Sequence, residues 1–560
     1  MNLRKATTAI AAGAIALVTT LAGCSPATPT PTSSTHTAAA KAQVLRVWAG
    51  STTPITVDFN PFHADTALFG TFGSIYEPLF FFNQLSADAP VPMLGQSYEY
   101  SADGKTITIK LKPNLKWSDG EALTADDVVF TLGFGPNKTD KLISATASDT
   151  TTVVLSYTVP QFTAASLLLG TTMIVPKHIW STIGTDYMKE TNPQPVGSGA
   201  YVVKTTSDAS YSFTANPNYR DGAPAITDVQ YLGLDSNQSG QDLLTTGQID
   251  WTGQFIANPD SVTSSGAIST MNNQQDPTVM ITCADAAKGC KGAQTDPAVR
   301  QAINLAIDRS AIGEKAFAGL VGKSNPAFVL LPRDAQWLTD QSLASSPQSA
   351  NIVEAQRILE SAGYTKDAKG FYGKGGKQIE LDLFSPDGWT DYNDAAKLIS
   401  EEAAKAGIKI TARTVSEAEY WTPITNGDFQ LAMYGLTQSI VADPYSNYHE
   451  YFSGASTAKV GAAPTSGQNY SRYSNATVDA AIEAAAATND ATVKKAEYAK
   501  IQAQISTDLP YIPVVLNASQ AFFNTKNFTG WPTTDIPYAD PLPYLSVAPA
   551  IVLLHLKPAA

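Results

Sequence analysis

The sequence feature that most restricts the fold is an alternation of strand-type and helix-type patterns along the chain. The segments VLRVWAG, TITIKLK and TTVVLSYT are rich in the β-branched residues typical of strands. The segments NIVEAQRILESAG, NDAAKLISEEAAKAG and NATVDAAIEAAAATN carry apolar residues at the spacing of a helix. This alternation predicts a mixed α/β fold.

The middle of the chain repeats this alternation most clearly. The segment DPAVRQAINLAIDRSAI, residues 296–312, is predicted to be one helix, with Asp296 as its cap and Pro297 in its first turn. A helix ending at Gly407 is followed by IKITARTV, and the next helix is followed by FQLAMYGL. This order predicts a sheet with helices packed on it. The strand YIPVVLNASQAFF and the Pro-rich tail do not continue the order and are expected to return to an earlier part of the fold.

The N-terminal residues have the pattern of a secretory signal peptide. Arg4 and Lys5 precede an apolar run from Ala9 to Leu21. The run is shorter than the roughly 20 apolar residues of a membrane-spanning helix. It ends in LAGC, which matches the lipobox of bacterial lipoproteins. Residues 1–24 are therefore expected to be a lipoprotein signal peptide, with Cys24 as the lipidated residue.

The residues that follow the signal are expected to be a tether. Residues 25–42 are rich in Ser, Thr, Pro and Ala, a composition that cannot bury a core. The folded part is expected to begin near Val44. About 515 residues then remain, which is more than one hydrophobic core usually supports, so at least two lobes are expected.

The charge balance restricts the partners of the chain. It contains 37 Lys and Arg residues against 50 Asp and Glu residues, and its formal net charge is -13. The basic residues do not cluster, so nucleic acid and anionic lipid surfaces are disfavoured as partners. Attachment to a membrane is expected only through a lipid on Cys24.

Two cysteines remain after Cys24, and they lie close together in the sequence. Cys283 and Cys290 belong to an exported chain, where an oxidising compartment favours a disulfide between them. Two free thiols are the alternative. A metal site would need further ligands, which the intervening residues do not supply.

The sequence patterns of common enzymes are absent. The five histidines lack the spacing of metal ligands, and there is no nucleophile elbow, Walker loop or dinucleotide-binding glycine run. The segment GKGGKQ is predicted to be a surface hairpin turn, and Asp126 with Asp127 is predicted to begin a helix. We therefore expect neither an enzyme nor a cofactor. The remote alternative is a secreted glycoside hydrolase with Asp391 and Asp443 as acid and base.

Aromatic residues indicate a binding cleft. The segments at 75–84, 247–256 and 385–394 each place aromatic rings beside amides or carboxylates in a non-periodic, turn-like sequence. Such segments offer apolar faces for stacking and a few directed hydrogen bonds. For any single one of these residues, packing in the core is the alternative role. The candidate ligand-binding residues are Phe82, Asn83, Trp251, Gln254, Phe255, Trp389, Asp391, Tyr434 and Gln438.

At these segments the chain resembles a known family. GSIYEPLFFF, DGKTITIKLKPNLKWSDGEALTADDVVFTL, NPQPVGSGAYVV, GQIDW, GDFQLAMYG and LPYIPVV occur in the order typical of the family 5 solute-binding proteins. These are extracellular receptors of ABC importers for oligopeptides, nickel complexes and some oligosaccharides. FFFN, GWTDYNDA and GWPTTDIPYADP are most similar to an actinobacterial branch that resembles receptors for cello-oligosaccharides.

The resemblance implies a two-lobed periplasmic-binding-protein-like fold, in the type II, large family 5 form, with hinge crossovers. Lobe I would comprise residues 43–280 and 514–560, and lobe II residues 281–513. The hinge would lie near Thr278–Cys283 and Ile512–Leu516. The lobes would close around a solute and deliver it to an ABC permease, and the protein would be a monomer on the outer face of the cell membrane. A receptor that signals without transport is an alternative that the sequence leaves open.

The resemblance also bears on the ligand. Peptide receptors of this family commonly carry an Asp four residues before a proline, where its carboxylate pairs with the peptide's α-ammonium group. The matching position before Pro444 is Ile440, which cannot form this pair, and Asp443 is displaced from it along the chain. Nickel is disfavoured because His63 and His449 are isolated candidates. A neutral oligosaccharide is therefore expected in preference to an oligopeptide.

Overall fold

The computed structural model describes residues 44–63, 66–163 and 165–559, without the side chain of Ala165. The signal peptide of residues 1–24, its lipidation residue Cys24 and the tether of residues 25–42 lie outside the described residues.

The strands, in chain order, are β1 (Leu45–Trp48), β2 (Phe80–Phe81), β3 (Val91–Pro92), β4 (Gly95–Tyr100), β5 (Thr106–Leu111), β6 (Leu142–Asp149), β7 (Thr152–Tyr157), β8 (Tyr201–Thr206), β9 (Ser210–Ala215), β10 (Asp228–Leu232), β11 (Trp251–Gly253), β12 (Ile268–Thr282), β13 (Thr365–Lys366), β14 (Tyr372–Lys374), β15 (Lys377–Gln378), β16 (Glu380–Pro386), β17 (Lys409–Val415), β18 (Leu431–Gly435), β19 (Tyr511–Asn524), β20 (Phe528–Thr529) and β21 (Lys557–Pro558).

The α-helices are α1 (Ala125–Leu132), α2 (Ala165–Thr171), α3 (Lys177–Ile183), α4 (Asn237–Thr245), α5 (Asp260–Thr263), α6 (Pro297–Ala306), α7 (Arg309–Ala316), α8 (Ile352–Ser361), α9 (Thr390–Lys405), α10 (Glu417–Asn426), α11 (Tyr445–Phe452), α12 (Ala476–Ala486), α13 (Ala491–Asp508) and α14 (Ala548–His555).

The largest sheet has ten strands, in the order β17-β16-β18-β12-β19-β11-β1-β10-β9-β8. Its two central strands, β12 and β19, are long and antiparallel. On one side of this pair β16 is parallel to β17 and β18, and on the other side β1 is parallel to β10 and β11. Helices separate the parallel strands in sequence, as the alternating pattern predicts. A second, antiparallel sheet has the order β4-β5-β7-β6.

The buried apolar residues fall into two groups that meet at the central strand pair. The first group draws only on residues up to Met271 and from Ala521 onward, so both ends of the folded chain share it. The second group draws only on residues from Val279 to Val515. Strands β12 and β19 therefore run from one group into the other.

The pairing of β12 with β19 is irregular where the two groups meet. Its register shifts between Gln274 and Asp276 and again between Thr278 and Val279. Pro277, which has no amide hydrogen to donate, lies between these shifts. Bulges of this kind bend a strand and increase its local twist. The irregular pairing therefore divides the β12–β19 ladder into two parts. One part packs on the first group of buried residues, and the other packs on the second group.

Most predicted elements are present, with two corrections. The single helix predicted at 296–312 is two helices, because Ile307 is extended and the Asp308 carboxylate caps a new helix at the amide of Ala311. Asp296 does cap the first of them. The predicted turn at 385–394 is partly helical, since α9 begins at Thr390. GKGGKQ forms the predicted hairpin between β14 and β15.

The two cysteines of the described chain are joined. Cys283 and Cys290 form a disulfide, with their Cα atoms 5.5 Å apart. Cys283 follows β12 directly, and both residues pack in the second group of buried side chains. Within the described ranges, no helix has the length and apolar character needed to cross a membrane.

Candidate functional site

A cavity of about 340 Å³ opens where the two groups of buried residues meet. We call it the aromatic cavity. Its walls come from the chain after β11, from the start of α4, from the turn between β16 and α9, from the middle of β19 and from the C-terminal tail. The lining residues are Asn237, Gln254, Phe255, Gly388, Trp389, Thr390, Asp391, Asn517, Ala518, Ser519, Gln520 and Tyr544.

The aromatic side chains of this cavity are unusually accessible. Phe255 is 44% exposed, Trp389 is 40% exposed and Tyr544 is 39% exposed. They are the three most exposed aromatic residues of the described chain, and all three line the same cavity. Apolar rings left in water cost free energy unless a ligand or partner covers them. The cavity therefore has the character of a stacking site.

Gln254 gives the cavity a hydrogen-bonding group without a partner. Its side chain is only 7% exposed, yet neither Nε2 nor Oε1 has a hydrogen-bond partner in the protein. A buried amide in this state costs roughly 1–3 kcal/mol relative to a satisfied one. Because the amide both donates and accepts, it suits a ligand group that does the same, such as a hydroxyl.

Residues distant in the sequence hold the segment around Gln254. A Cβ atom at Gly240 would lie 2.0 Å from the Trp48 ring and 3.0 Å from Gln254 Oε1, so only glycine leaves room for both side chains. The side chain of Gln520 accepts from the amide of Ile256 at 2.7 Å and donates to its carbonyl at 3.3 Å. The amide of Gln254 donates to the carbonyl of Gln520 at 3.2 Å, so Gln520 holds the backbone on both sides of Phe255.

The cavity carries one charged group among its lining residues, the carboxylate of Asp391. Burial raises the pKa of Asp391, while hydrogen bonds from the amide of Tyr392 and from the side chain of Asn517 lower it. No Lys, Arg or His is among the described lining residues, so the site offers nothing to pair with an anionic ligand.

Two further carboxylates lie beside the cavity. Burial, reinforced by the charge of Asp540, raises the pKa of Asp276 to about 6. Burial likewise raises the pKa of Asp540 to about 6, although three side-chain amides donate to its carboxylate. The donors are Gln84 at 3.2 Å, Asn273 at 2.9 Å and Gln275 at 2.7 Å. This network joins the tail, the segment after β2 and the irregular part of β12.

Four of the nine predicted ligand-binding residues line the aromatic cavity, namely Gln254, Phe255, Trp389 and Asp391. Phe82 lies elsewhere and is half-buried against Gly170, at whose position a Cβ atom would meet both the Phe82 ring and Ile440 Cδ1. Asn83 uses its side chain within the fold: Nδ2 donates to the carbonyl of Pro537 at 2.6 Å, and Oδ1 accepts from the amide of Leu85.

The structure corrects the expectation for Trp251, which presents no face to a cavity. Its indole is fully buried, contacts Trp531 edge-on and donates to the carbonyl of Pro541 at 2.6 Å. Tyr434 is also a core residue, 5% exposed, and its hydroxyl donates to Gln468 Oε1 at 2.9 Å. Both are aromatic residues in strands, where packing and ligand binding produce the same local sequence. Gln438 differs, because its buried Nε2 has no partner.

The side chains of Asp443, His63 and His449 each contact another side chain of the protein. The Asp443 carboxylate accepts from Lys494 Nζ at 2.9 Å and from the hydroxyl of Tyr498. His63 Nδ1 lies 2.7 Å from the Asp58 carboxylate, and His449 stacks on Tyr445. Among the residues that the structure describes, no group of His, Cys, Asp and Glu side chains has the arrangement of a metal site.

Sequence reasoning missed Tyr544, Asn237 and the residues from Asn517 to Gln520. One signal was available for the last of these, because the polar run NASQ interrupts an otherwise apolar strand, VVL-NASQ-AFF. Polar residues in a central strand of a sheet require partners or a cavity. Tyr544 and Asn237 have no comparable local signal, since their role depends on how distant segments pack.

The sequence matches a known family over most of its length. Residues 89–459 match the profile described as bacterial extracellular solute-binding proteins, family 5, middle region. The chain belongs to this family. The α/β architecture built on two groups of buried residues is accordingly the two-lobed fold of family 5 solute-binding proteins. This agrees with the fold class predicted from the sequence.

The chain is similar to family 5 proteins from other bacteria. The oligopeptide-binding protein AppA of Bacillus subtilis is 25% identical over 440 residues, which cover 75% of this chain and 76% of AppA. The crystal structure of an oligopeptide ABC transporter's periplasmic oligopeptide-binding protein from Thermotoga maritima has a TM-score of 0.84 and 26% identity, covering 93% of this chain and 100% of that one. Its mannohexaose-bound structure has a TM-score of 0.77 and 25% identity, covering 92% and 99%.

Proposed function

We propose that this family 5 protein is the substrate-binding lipoprotein of an ABC importer and captures a neutral oligosaccharide between its two lobes. The bound sugar would pass to a membrane permease, and the energy for transport would come from a separate ATPase. The chain would act as a monomeric receptor and not as an enzyme.

The main support for this proposal is the set of residues that line the aromatic cavity. Phe255, Trp389 and Tyr544 offer flat rings to the faces of sugar rings. Gln254 and Asp391 offer polar groups to hydroxyls, and Gln254 has no other partner. A neutral, hydroxyl-rich ligand with apolar faces uses both features, and the mannohexaose complex of the Thermotoga relative has a ligand of this kind.

The lobes that would close around the ligand are lobe I, residues 43–280 with 514–560, and lobe II, residues 281–513. The division of buried residues at Met271 and Val279 on β12, and at Val515 and Ala521 on β19, supports these limits to within two residues, since Val279, Met280, Val514 and Val515 pack with the second group. The irregular pairing near Pro277 supports a hinge in the same place. A ligand that contacts both walls of the cavity would favour the closed arrangement by its greater affinity for it.

The surroundings of Ile440 support a sugar over a peptide. Ile440 stands where peptide receptors of the family carry the carboxylate for an α-ammonium group, and it packs toward Gly170 and Phe82. The carbonyls on either side of it, those of Ser439 and Val441, already accept from the guanidinium of Arg333. Asp443 is occupied by Lys494. An α-ammonium group placed here would meet no free carboxylate.

The lipid anchor and the location belong to the same proposal. Cys24 would carry the lipid, and residues 25–42 would tether the receptor to the outer face of the cell membrane. Labelling of producing cells with radioactive palmitate should mark the wild type and not Cys24→Ser, and an unlabelled wild type would contradict the anchor.

Calorimetry on the protein from residue 43 onward tests the ligand class. Cello-, manno- and xylo-oligosaccharides of two to six units are titrated beside unmodified peptides of three to nine residues. We expect micromolar or tighter binding of at least one sugar series and none of the peptides. Micromolar binding of peptides without any response to sugars would refute the oligosaccharide and retain an oligopeptide receptor. Cleavage of a sugar during the titration, followed by chromatography, would indicate the hydrolase alternative.

A further inference from the structure

Arg333 lies at the only described point where one guanidinium contacts the carbonyls of both proposed lobes. Its side chain is 4% exposed. Nη1 donates to the carbonyl of Gln84 in lobe I at 3.0 Å and to the carbonyl of Ser439 in lobe II at 2.7 Å. Nη2 donates to the carbonyl of Val441 at 3.1 Å. One planar group therefore links the segment after β2 to the loop after β18.

The charge of Arg333 is balanced within lobe II. Its Nε and Nη2 donate to the two carboxylate oxygens of Asp334, at 2.7 Å and 2.8 Å. Asp334 is itself buried, and a bidentate pair is the arrangement in which two buried charges offset their loss of hydration most fully. If the lobes separate, the bonds to Asp334, Ser439 and Val441 can persist, and only the bond to Gln84 must break.

The two segments joined by Arg333 carry groups that face the region between the lobes. Phe82 precedes the Gln84 carbonyl, and its ring approaches Gly170 together with Ile440. Gln438 precedes Ser439, and its buried Nε2 has no partner in the protein. The loop from 438 to 443 is further held by Trp337, whose indole donates to the carbonyl of Ala442 at 2.8 Å. Arg333 thus adds an interlobe bond to a loop that Trp337 and Arg333 hold together.

From these contacts we infer that Arg333 is a positioning residue for ligand capture, which fixes the loop 438–441 in lobe II and holds the closed lobes together through the carbonyl of Gln84. This inference rests on the two-lobe closure proposed above. The bond to Gln84 exists only when the lobes meet, so it stabilises the closed form without touching the ligand. Ligand affinity should then depend on Arg333 through the open–closed equilibrium.

Two variants separate this role from a structural one. Arg333→Lys keeps a cation beside Asp334 but loses the planar fork that reaches both carbonyls. The double variant Arg333→Met/Asp334→Asn removes the ion pair without leaving a buried charge unpaired. Asp334→Asn alone is the matched control, because it weakens the ion pair and retains the guanidinium that reaches Gln84. At least one of the two test variants should fold, as judged by its thermal transition.

Small-angle X-ray scattering and calorimetry with cellopentaose and mannohexaose provide the readouts. We expect the ligand-free Arg333 variants to have a larger radius of gyration than the wild type, and the sugar-saturated proteins to have the same one. Affinity should fall about 10-fold, the effect of one lost hydrogen bond to a charged group. Asp334→Asn should lower the melting temperature with a smaller effect on affinity.

Two results would overturn the inference. One is an unchanged radius of gyration together with unchanged affinity. The other is a lower melting temperature alone, which would make Arg333 purely structural. If the wild type binds neither sugar, the oligosaccharide proposal fails, while the scattering of the ligand-free variants still decides whether Arg333 holds the lobes closed.

Discussion

The rings of Phe255 and Trp389 line one cavity, although they come from opposite sides of the central strand pair and are far apart in the sequence. Phe255 follows β11, whereas Trp389 immediately precedes α9. Each ring is about as exposed as the other, at 44% and 40%. Two accessible rings on separate walls can enclose a flat ligand between them.

Trp389→Ala should weaken oligosaccharide binding by about 1–3 kcal/mol with little loss of stability. The ring is 40% exposed and stands directly before the first residue of α9, so its removal leaves no closed cavity in the core, whereas it removes a stacking face for the ligand. Calorimetry gives the affinity and a thermal scan gives the stability. Val353→Ala, at another exposed position on α8, is the control and should change neither quantity. Unchanged affinity of Trp389→Ala for every sugar bound by the wild type would remove Trp389 from the site.

Trp251→Ala should mainly lower the stability of the protein, in contrast to Trp389→Ala, which should mainly lower its affinity for sugars. Its indole is fully buried against Trp531 and donates to the carbonyl of Pro541. Truncation of a buried aromatic residue typically costs about 3–5 kcal/mol, so we expect a large fall in the unfolding free energy measured with denaturant. Trp251→Phe keeps most of the volume and should lose less. A stable Trp251→Ala protein with weakened sugar binding would restore the stacking role expected from the sequence.

Trp251 and Trp389 show which features of this protein the sequence predicts and which it does not. Alternating patterns predicted the α/β class, and collinear segments identified the family. An aromatic residue beside an amide has the same local sequence whether the ring faces a core or a cleft. For Trp251 the pairing of β11 between β1 and β19 decided burial, and that pairing joins residues too distant for any local pattern. Tyr544 was missed for the same reason, since the packing of the tail places it in the cavity.

Gln254→Met should make the ligand-free protein more stable and bind sugars less well. Both polar atoms of the Gln254 side chain are buried without a partner, so an apolar side chain of similar volume relieves an uncompensated desolvation cost of roughly 1–3 kcal/mol. The same change removes the donor and acceptor offered to a hydroxyl, and affinity should fall about 10-fold. Thermal unfolding with and without ligand measures both effects. A loss of stability would mean that Gln254 has partners in the ligand-free protein.

Asp276→Asn should alter the dependence of stability on pH. The pKa of Asp276 is raised from about 3.8 to about 6 in the folded protein, so between these values the folded state binds more protons than the unfolded state. The contribution of Asp276 to the free energy of unfolding therefore becomes less favourable as pH rises from 4 to 6, and it stays unfavourable above pH 6. Relative to Asp276→Asn, the wild type should lose about 2–3 kcal/mol of its unfolding free energy between pH 4 and pH 7.

Asp228→Asn is the control for the pH experiment. Its partner Lys204, at 2.6 Å, lowers the pKa of Asp228, so its favourable contribution is lost only as pH falls below about 4. Denaturant unfolding at pH 4, 5, 6 and 7 should therefore give a constant difference between the wild type and Asp228→Asn. A constant difference for Asp276→Asn as well would show that Asp276 titrates normally.

Loss of the disulfide should lower stability and leave ligand affinity largely intact. Cys283 and Cys290 close a short loop at the end of β12, on the side of the second group of buried residues, and neither lines the aromatic cavity. In the chain-entropy account, closing so short a loop stabilises the fold by about 2–3 kcal/mol, chiefly by restricting the unfolded chain. The double variant Cys283→Ala/Cys290→Ala should therefore melt at a lower temperature and bind its sugar with nearly wild-type affinity. Reduction of the wild type with dithiothreitol should reproduce that melting temperature, and the variant itself should not respond to the reductant. A variant that melts like the wild type but no longer binds would mean that the loop shapes the binding site and does not merely stabilise the fold.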